Sequence, residues 1–333
     1  MEYKISVIVC TYNQEKTIGR TLDSILMQQC HVPYEIIIGE DCSTDGTLAI
    51  CTKYAAEHSN IRIMASDKNK GVADNYFDCI LSSKGQYIAD CAGDDFWTDP
   101  QKLEKEVCIM EQHPDVTMVL TRWNWYNEDT QRLTPCPLPP YGEGIIKGSE
   151  LLEHIVTQLD MSVYHLCTAL YRAATFRQAY EENTFLFRNP EFGVEDIQVA
   201  YMMARYGNIA YLPDITLNYS VGKPSASQQT DYGRQFHFLR RVTDLCYYIT
   251  ETYQMHSQKI EEFFSKRTFA LAMFAFRANS RPMFQKTWEC KRKWRVPDNA
   301  CLFILSIIMR YKPLWYISLL LRQLFIYMKR ALH

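Results

Sequence analysis

Several absences narrow the chemistry of this 333-residue chain. None of its 12 cysteines stands in a CxxC pair, and Cys10, Cys51, Cys79 and Cys108 sit inside periodic apolar segments. Reduced, buried thiols are therefore expected rather than a disulfide framework. Neither GxGxxG nor GxxxxGK[ST] occurs in the first alternating unit, which removes the two commonest phosphate cradles. A nucleotide there would need a metal on its diphosphate and side-chain contacts to base and ribose. No apolar run reaches the ~20 residues that span a bilayer; the longest, Cys301 to Met309, stops at Arg310-Tyr311-Lys312-Pro313. The opening Met1-Glu2-Tyr3-Lys4 leads straight into a β-like run, with no charged segment, apolar core and cleavage site, so secretion is not expected and a cytoplasmic setting is. The net charge of −2 leaves no whole-chain basic field for nucleic acid. That balance hides a split: Arg281 to His333 holds eleven basic residues against Glu289 and Asp298, so the preceding residues are markedly acidic.

What is present is ordinary globular composition, 47% hydrophobic and 22% charged, which excludes global disorder. The first hundred residues alternate strand and helix signals. Ile5 to Cys10, Glu35 to Gly39, Ile61 to Ala65 and Gln86 to Ala92 read as strands. Thr17 to Gln29, Thr44 to about Ala56 and Val72 to Ser82 read as the helices between them. Such alternation implies right-handed crossovers and an α/β fold whose mixed, mainly parallel sheet is covered by helices. Further helices are expected at Pro100 to His113, Ser149 to Thr157 and Glu195 to Tyr206, with strands at Val116 to Tyr126 and Thr168 to Tyr171. Past Gly233 the pattern turns helical and basic. The expected division is therefore a first domain over 1–232 and a helical C-terminal region over 233–333.

In an open parallel sheet, ligands sit outside the carboxyl ends of the strands. Strand one ends in Thr11-Tyr12-Asn13, strand two in Glu40-Asp41-Cys42-Ser43, strand three is followed by Asn69-Lys70-Gly71, and strand four by Gly93-Asp94-Asp95-Phe96-Trp97. Adjacent carboxylates repel, and a divalent cation or a hydroxyl-rich ligand would offset the repulsion. Helix capping is the alternative reading of each pair taken alone.

In order and spacing, Ser6-Val7-Ile8-Val9-Cys10-Thr11-Tyr12-Asn13, Asp41-Cys42-Ser43-Thr44-Asp45-Gly46-Thr47, Asn69-Lys70-Gly71 and Gly93-Asp94-Asp95-Phe96-Trp97-Thr98-Asp99-Pro100 resemble the family 2 glycosyltransferases of GT-A (Rossmann-like) fold. The resemblance covers roughly residues 3 to 225. It implies that Thr11 and Asp41 contact the nucleotide base, with Asn13 beside them, that Asp94 contacts the ribose, and that Asp95 holds a divalent metal, Mn or Mg, on the diphosphate. It also implies an inverting transfer, with a general base from the acidic pair Glu195-Asp196. Asp196 is the expected base, with Glu195 contacting the acceptor or standing in for it. An acidic first turn favoured by the helix dipole is the bland alternative. His165 matches a polar position beside the acceptor in similar proteins, with a structural histidine as the alternative reading, and Trp97 is placed there with it. Similar enzymes follow the Asn218-Tyr219 strand with a metal-binding histidine, whereas this chain reads Ser220-Val221-Gly222-Lys223-Pro224. Lys223 is the candidate contact to the diphosphate there.

The tail combines Leu302 to Ile308, Leu314 to Leu321 and Leu324 to Met328 with Arg310, Lys312 and Arg322. On a helical wheel Ser318, Arg322 and Lys329 form one narrow polar stripe. Together with Lys291-Arg292-Lys293-Trp294-Arg295 it suggests peripheral contact with an anionic membrane, while a packed helical subdomain remains the alternative. The expectation is an enzyme moving a sugar from a nucleotide-sugar donor, UDP-linked, to a hydroxyl of a saccharide or lipid-linked glycan in surface-polysaccharide synthesis, at the inner face of the cytoplasmic membrane. A non-catalytic nucleotide-sugar-binding, membrane-docking module is the competing reading.

Overall fold

The computed structural model describes residues 3–139, 141–157, 164–222, 231–298 and 300–311, with isolated positions up to 320. Lys223 and the stripe Ser318, Arg322 and Lys329 lie outside the described residues.

The chain begins with β1 (Ile5–Thr11), α1 (Ile18–Leu26), β2 (Tyr34–Glu40), α2 (Thr47–Glu57), β3 (Ile61–Ala65), α3 (Val72–Ser82) and β4 (Tyr87–Asp90). β3, β2, β1 and β4 lie side by side in that order, all parallel. Ile5, Val7, Ile8 and Val9 of β1 and Ile36, Ile37 and Ile38 of β2 are buried. Such near-continuous β-branched runs suit strands covered on both faces. α1 closes one face with Ile18, Leu22 and Ile25, the spacing of an apolar helical stripe. Two polar residues inside the sheet satisfy one another: Ser6 Oγ donates to Glu35 Oε1 at 2.6 Å and accepts from the Gly85 amide at 2.9 Å.

Beyond β4 the sheet turns mixed. β5 (Phe96–Trp97), α4 (Lys102–Gln112), β6 (Val116–Asn127), β7 (Leu133–Pro135), β8 (Gly144–Ile146), α5 (Gly148–Thr157), β9 (Leu170–Arg172), α6 (Ala173–Glu182), α7 (Thr184–Arg188), α8 (Asp196–Tyr206) and β10 (Asn208–Val221) complete the first unit. β9 pairs antiparallel with both β4 and β6, and β10 runs parallel to β6 and antiparallel to β5. The expected GT-A architecture, a mainly parallel sheet with flanking helices, is thus the one observed. Three short strands, β5, β7 and β8, were not expected, and the turn-rich stretch after Thr134 buries Cys136. β5 is two residues long, too short for alternation to mark it. It pairs Trp97 with Leu217 and Phe96 with Asn218, which lays the two acidic residues just before it against the end of β10.

The described residues of Met1–Pro190 and Val194–Gly222 form one compact unit, and those of Glu191–Gly193 and Lys223–His333 a second. In the second, Asp231, Ser257 and Ser280 cap α9 (Tyr232–Thr252), α10 (Gln258–Arg277) and α11 (Arg281–Lys293), each accepting a backbone N–H three residues on. The C-terminal helical region also contains α12 (Ala300–Arg310). Asp244, buried on α9, accepts from Arg240 Nη1 at 2.9 Å, Lys293 Nζ at 2.7 Å and Trp294 Nε1 at 2.9 Å. The expectation that Trp294 serves as a surface anchor is corrected by this contact: the ring is 3% exposed and its N–H is committed. No helix among the described residues is long and apolar enough to cross a membrane.

Candidate nucleotide and acid–base site

Of the expected site residues, Thr11, Asn13, Asp41, Asp94 and Asp95 lie at or just past the carboxyl ends of β1, β2 and β4. Asp41, one residue past β2, is buried, and its two carboxylate oxygens accept the Lys70 amide at 2.8 Å and the Gly71 amide at 2.9 Å. One side chain thus fixes the Asn69-Lys70-Gly71 turn against strand two, and each oxygen keeps a second lone pair. Thr11, the last residue of β1, is also buried, and its Oγ1 makes no hydrogen bond. Gly93 lies directly over it: a Cβ there would meet Thr11 Oγ1 at 2.9 Å and collide with Gln14 Oε1, so only glycine lets the acidic loop approach strand one. Asn13 takes a left-handed conformation, φ 54°, and its Oδ1 accepts the Thr44 amide at 2.8 Å. It therefore staples the end of strand one to the loop after strand two, and of its side chain the amide nitrogen is what remains to offer a ligand.

Asp94 and Asp95 form the centre. Asp95 is 1% exposed. Its Oδ1 accepts the Ser220 amide at 2.9 Å, while Oδ2 is buried with no hydrogen bond. Burial, with the neighbouring Asp94 charge, pushes its carboxyl well above the usual range. Asp94 is raised too, by burial and by Glu128 nearby. The loop carrying them is clamped through its backbone: Asp94 O accepts from Arg20 Nη2 at 2.9 Å and Ser220 Oγ at 2.7 Å, and Asp95 O from Thr21 Oγ1 at 2.6 Å. Arg20 stacks over Phe96, 4.1 Å to the ring centroid, and pairs with Glu128 at 2.6 Å. Framework and charge thus point different ways. The loop's carbonyls are held, whereas the Asp95 carboxyl has, besides the Ser220 amide, only the weak Cys167 thiol as a donor, and Oδ2 has no N–H or O–H partner. That oxygen, beside a second carboxylate, fits a hard dication, which takes oxygen donors and relieves the repulsion.

Glu195 and Asp196 begin α8. Burial, with the Asp196 charge, raises Glu195. Asp196 is raised by burial, and its Oδ1 accepts the Ile197 amide at 2.8 Å. The Glu195 charge acts on Asp90 and Cys10, near the carboxyl ends of β4 and β1. Asp90, the last residue of β4, is raised well above its ordinary value by burial, with the Glu195 charge adding to it and the neighbouring Tyr76 and Tyr171 hydroxyls and Lys102 opposing it.

His165 starts a 3₁₀ turn, Leu166–Thr168, and its Nδ1 accepts the Cys167 amide at 3.3 Å. The ring packs against Tyr219 and Trp123, with centroids 4.6 and 5.4 Å away. Burial pushes its pKa down to about 4, so it is a neutral imidazole whose proton sits on Nε2. Trp97 corrects an expectation: it is buried, its Nε1 donates to Cys167 O at 3.0 Å and Lys102 Nζ lies 4.5 Å from the ring centroid. It presents no surface to an acceptor and instead ties the His165 turn to the acidic loop. Sequence reasoning missed Arg20, Glu128, Ser220 and Asp90. Only Ser220 had a signal, since it occupies the start of the segment where a histidine was sought.

Residues 6–179 match the model of the glycosyl transferase family 2. EpsE of Bacillus subtilis (strain 168) is 40% identical over 119 residues, 35% of this chain and 42% of that protein. The alignments to the first curated relatives span a third to two fifths of those proteins' own lengths. Among solved structures, S. aureus TarS 1-349 in complex with UDP-GlcNAc shares the fold at a TM-score of 0.54 and 17% identity, over 87% of this chain and 92% of that one. The mannosyltransferase PcManGT from Pyrobaculum calidifontis, in complex with GDP-Man and Mn2+, does so at 0.52 and 15%, over 94% and 82%. With the family model covering more than half the chain and the strand-end motifs in place, the chain belongs to glycosyl transferase family 2.

Proposed function

We propose that the protein transfers a sugar, with inversion, from a nucleotide-sugar donor to a hydroxyl of a saccharide or lipid-linked glycan acceptor in surface-polysaccharide synthesis. The observation that carries this reading is Asp95 Oδ2, a buried carboxylate oxygen with no N–H or O–H donor, next to Asp94 at the sheet's carboxyl edge. Asp95 would hold Mn or Mg, which when bound supplies charge neutralisation for a departing nucleoside diphosphate. Thr11 and Asp41 stand where the base would lie, with the amide of Asn13 near them, Asp94 would take the ribose, and Lys223 is the proposed diphosphate contact. The solved relatives carrying UDP-GlcNAc and GDP-Man with Mn2+ support a donor of this class, and UDP is the base we favour.

On the acceptor side, Asp196 is the proposed base. With Glu195 raised by burial and by the Asp196 charge, Glu195 keeps its proton to higher pH, leaving Asp196 as the ionised member that can accept the acceptor's hydroxyl proton. His165, neutral with Nε2–H outward from its Cys167 contact, is suited to donate a hydrogen bond to an acceptor oxygen. The proposed setting is the cytoplasmic membrane's inner face, with anionic lipid as a partner of the tail. Phe303, Ile304, Ile307 and Tyr311 on and just past α12 are exposed, an apolar face flanked by Arg310. No nucleic-acid partner is proposed.

The test is release of nucleoside diphosphate from a panel of UDP- and GDP-sugars with and without Mn, using wild type and Asp196→Ala. Turnover with one donor, at least ~100-fold lower in the variant, is expected. Donor binding by calorimetry without turnover on any acceptor would instead establish a binding module. For the tail, full-length protein should float with anionic liposomes and a version ending at Asp298 should not; equal flotation removes the membrane claim.

A further inference from the structure

Away from the carboxyl edge, the first unit gathers a second set of metal-compatible donors. The loop between α1 and β2 carries Cys30 and His31 side by side. Opposite it, α4 presents Glu104, Cys108 and Glu111, spaced i, i+4 and i+7, which places them along one helical face. One ligand atom each from Cys30, His31 and Glu104 lie within 4.8 Å of one another, and among the described residues this is the group of cysteine, histidine and acidic donors that meets so closely. Cys108 Sγ stands 3.6 Å from Glu104 Oε1, and His31 Nε2 3.9 Å from Glu111 Oε2. The donors are mixed in kind: two sulfurs, an imidazole and carboxylates. Calcium and magnesium want oxygen donors alone, whereas zinc takes thiolate, imidazole and carboxylate together.

The two elements are already positioned against each other. Gln29 donates its amide to Pro100 O at 2.8 Å, Gln28 Nε2 donates to Asp99 O at 2.7 Å, and the Leu103 amide donates to Gln28 Oε1 at 3.0 Å. The His31 amide and ring Nδ1 both meet Glu104 Oε2, at 2.9 and 2.7 Å. Tetrahedral zinc, with bonds of 2.0–2.3 Å, spaces its ligand atoms about 3.3–3.8 Å apart. Cys30, His31 and Glu104 would close from within 4.8 Å by side-chain rotation, His31 being half exposed, and Cys108, 3.6 Å from Glu104 Oε1, would supply the fourth ligand. We infer that Cys30, His31, Glu104 and Cys108 form a site for one zinc-class dication, separate from the catalytic metal, that clamps the loop after α1 to α4. The clamp would act on the segment Asp99–Leu103, which directly follows the loop bearing Asp94 and Asp95. It rests on no assumption about sugar transfer.

The experiment uses the full chain, stripped with chelator, in an Asp95→Ala background that removes the carboxylate proposed for the catalytic ion. Titration with Co2+ should give a near-ultraviolet thiolate-to-cobalt charge-transfer band and visible absorption of tetrahedral intensity, saturating at one ion per chain and displaced by Zn2+. Cys30→Ser should weaken Co2+ at least tenfold and reduce the band, and Cys30→Ser with His31→Ala should abolish both the band and any rise in melting temperature with Zn2+. A spectrum without a thiolate band, or equal affinity in the double variant, overturns the site. So does the loss of free Cys30 and Cys108 thiols to a mutual disulfide in protein purified without reductant.

Discussion

Asp95 provides the sharpest test, because the same atom that suits it to a metal should make the metal-free protein less stable. Asp95→Asn keeps an oxygen to accept the Ser220 amide and replaces the charged Oδ2 by a neutral NH2, for which the Cys167 sulfur is an acceptor. What disappears is a buried carboxylate oxygen with no N–H or O–H donor and its repulsion with Asp94. Leaving a buried polar group unsatisfied costs about 1–3 kcal/mol, and more when it is charged. We therefore expect the variant to gain about 2–3 kcal/mol in chelator at pH 8, roughly 4–12 °C in melting temperature for a unit of this size. The sign with pH follows from the direction of the shift. The folded carboxyl is raised above its unfolded value of about 3.9, so its protonation favours the fold fully below that value, and this contribution is lost as pH rises through the folded one. The stability advantage of Asp95→Asn should thus be small near pH 4 and grow toward pH 8. Mn should reverse it: an ion at 100 times its Kd adds about 2.7 kcal/mol to the wild type and little to the variant, which should also lose turnover. Differential scanning fluorimetry across pH, with chelator or Mn, reads all of this. A variant that melts at or below wild type throughout, or that responds to Mn as wild type does, would refute the assignment of Asp95.

Two further outcomes follow from buried charges. Glu195→Gln mimics the protonated acid, so it should keep turnover near neutral pH while removing the alkaline limb of the pH–rate profile; activity abolished at every pH in folded protein would make Glu195 the base instead. Lys102→Met should cost about 3–5 kcal/mol by chemical denaturation, because Lys102 and Glu106 are both fully buried and 2.7 Å apart. That loss should be milder at pH 5.5 than at pH 8, since burial holds the Glu106 carboxyl up at about 7 and acid neutralises it. Lys102→Met combined with Glu106→Leu should recover most of it, and a double variant as unstable as the single one would remove the ion pair from the account.

Much of the fold was legible because β1, β2 and their helices obey strong local rules. Ile36-Ile37-Ile38 is a run that only a doubly covered strand buries, and Ile18, Leu22 and Ile25 repeat at helical spacing. The strand-end acids were legible for the same reason, since topology puts the ends of parallel strands on one edge. What local pattern could not supply is use. Trp97 looks from sequence like an aromatic beside a site, yet its N–H goes to Cys167, seventy residues away. Trp294 looks like an interfacial anchor and is claimed by Asp244, fifty residues away. Arg20 sits on α1 with no motif around it, and its role depends on Asp94, Glu128 and Ser220, which only the folded chain brings together. In each case a long-range hydrogen bond decides what a side chain is free to do, and such bonds leave no periodicity behind.

The carboxyl edge of the sheet is unusual in how its charge is distributed. Asp90, Asp94, Asp95, Glu195 and Asp196 are all raised by burial, so each resists ionising there. Two of the cations nearest to them are committed elsewhere: Arg20 to Glu128 and the Phe96 ring, Lys102 to Glu106 and the Trp97 ring. Had the fold been tuned for stability alone, moving either cation onto Asp95 Oδ2 would satisfy that oxygen. Instead, backbone donors and hydroxyls hold the loop, through Ser220, Thr21 and the main-chain oxygens, while neither of its carboxylates receives an ion pair among the described residues. A neutral ligand would leave that repulsion in place, and an anionic diphosphate on its own would add to it. On the proposed reading, the arrangement would become favourable when a dication and its anionic ligand arrive together, so metal and donor binding would be interdependent and each should tighten the other by the same factor.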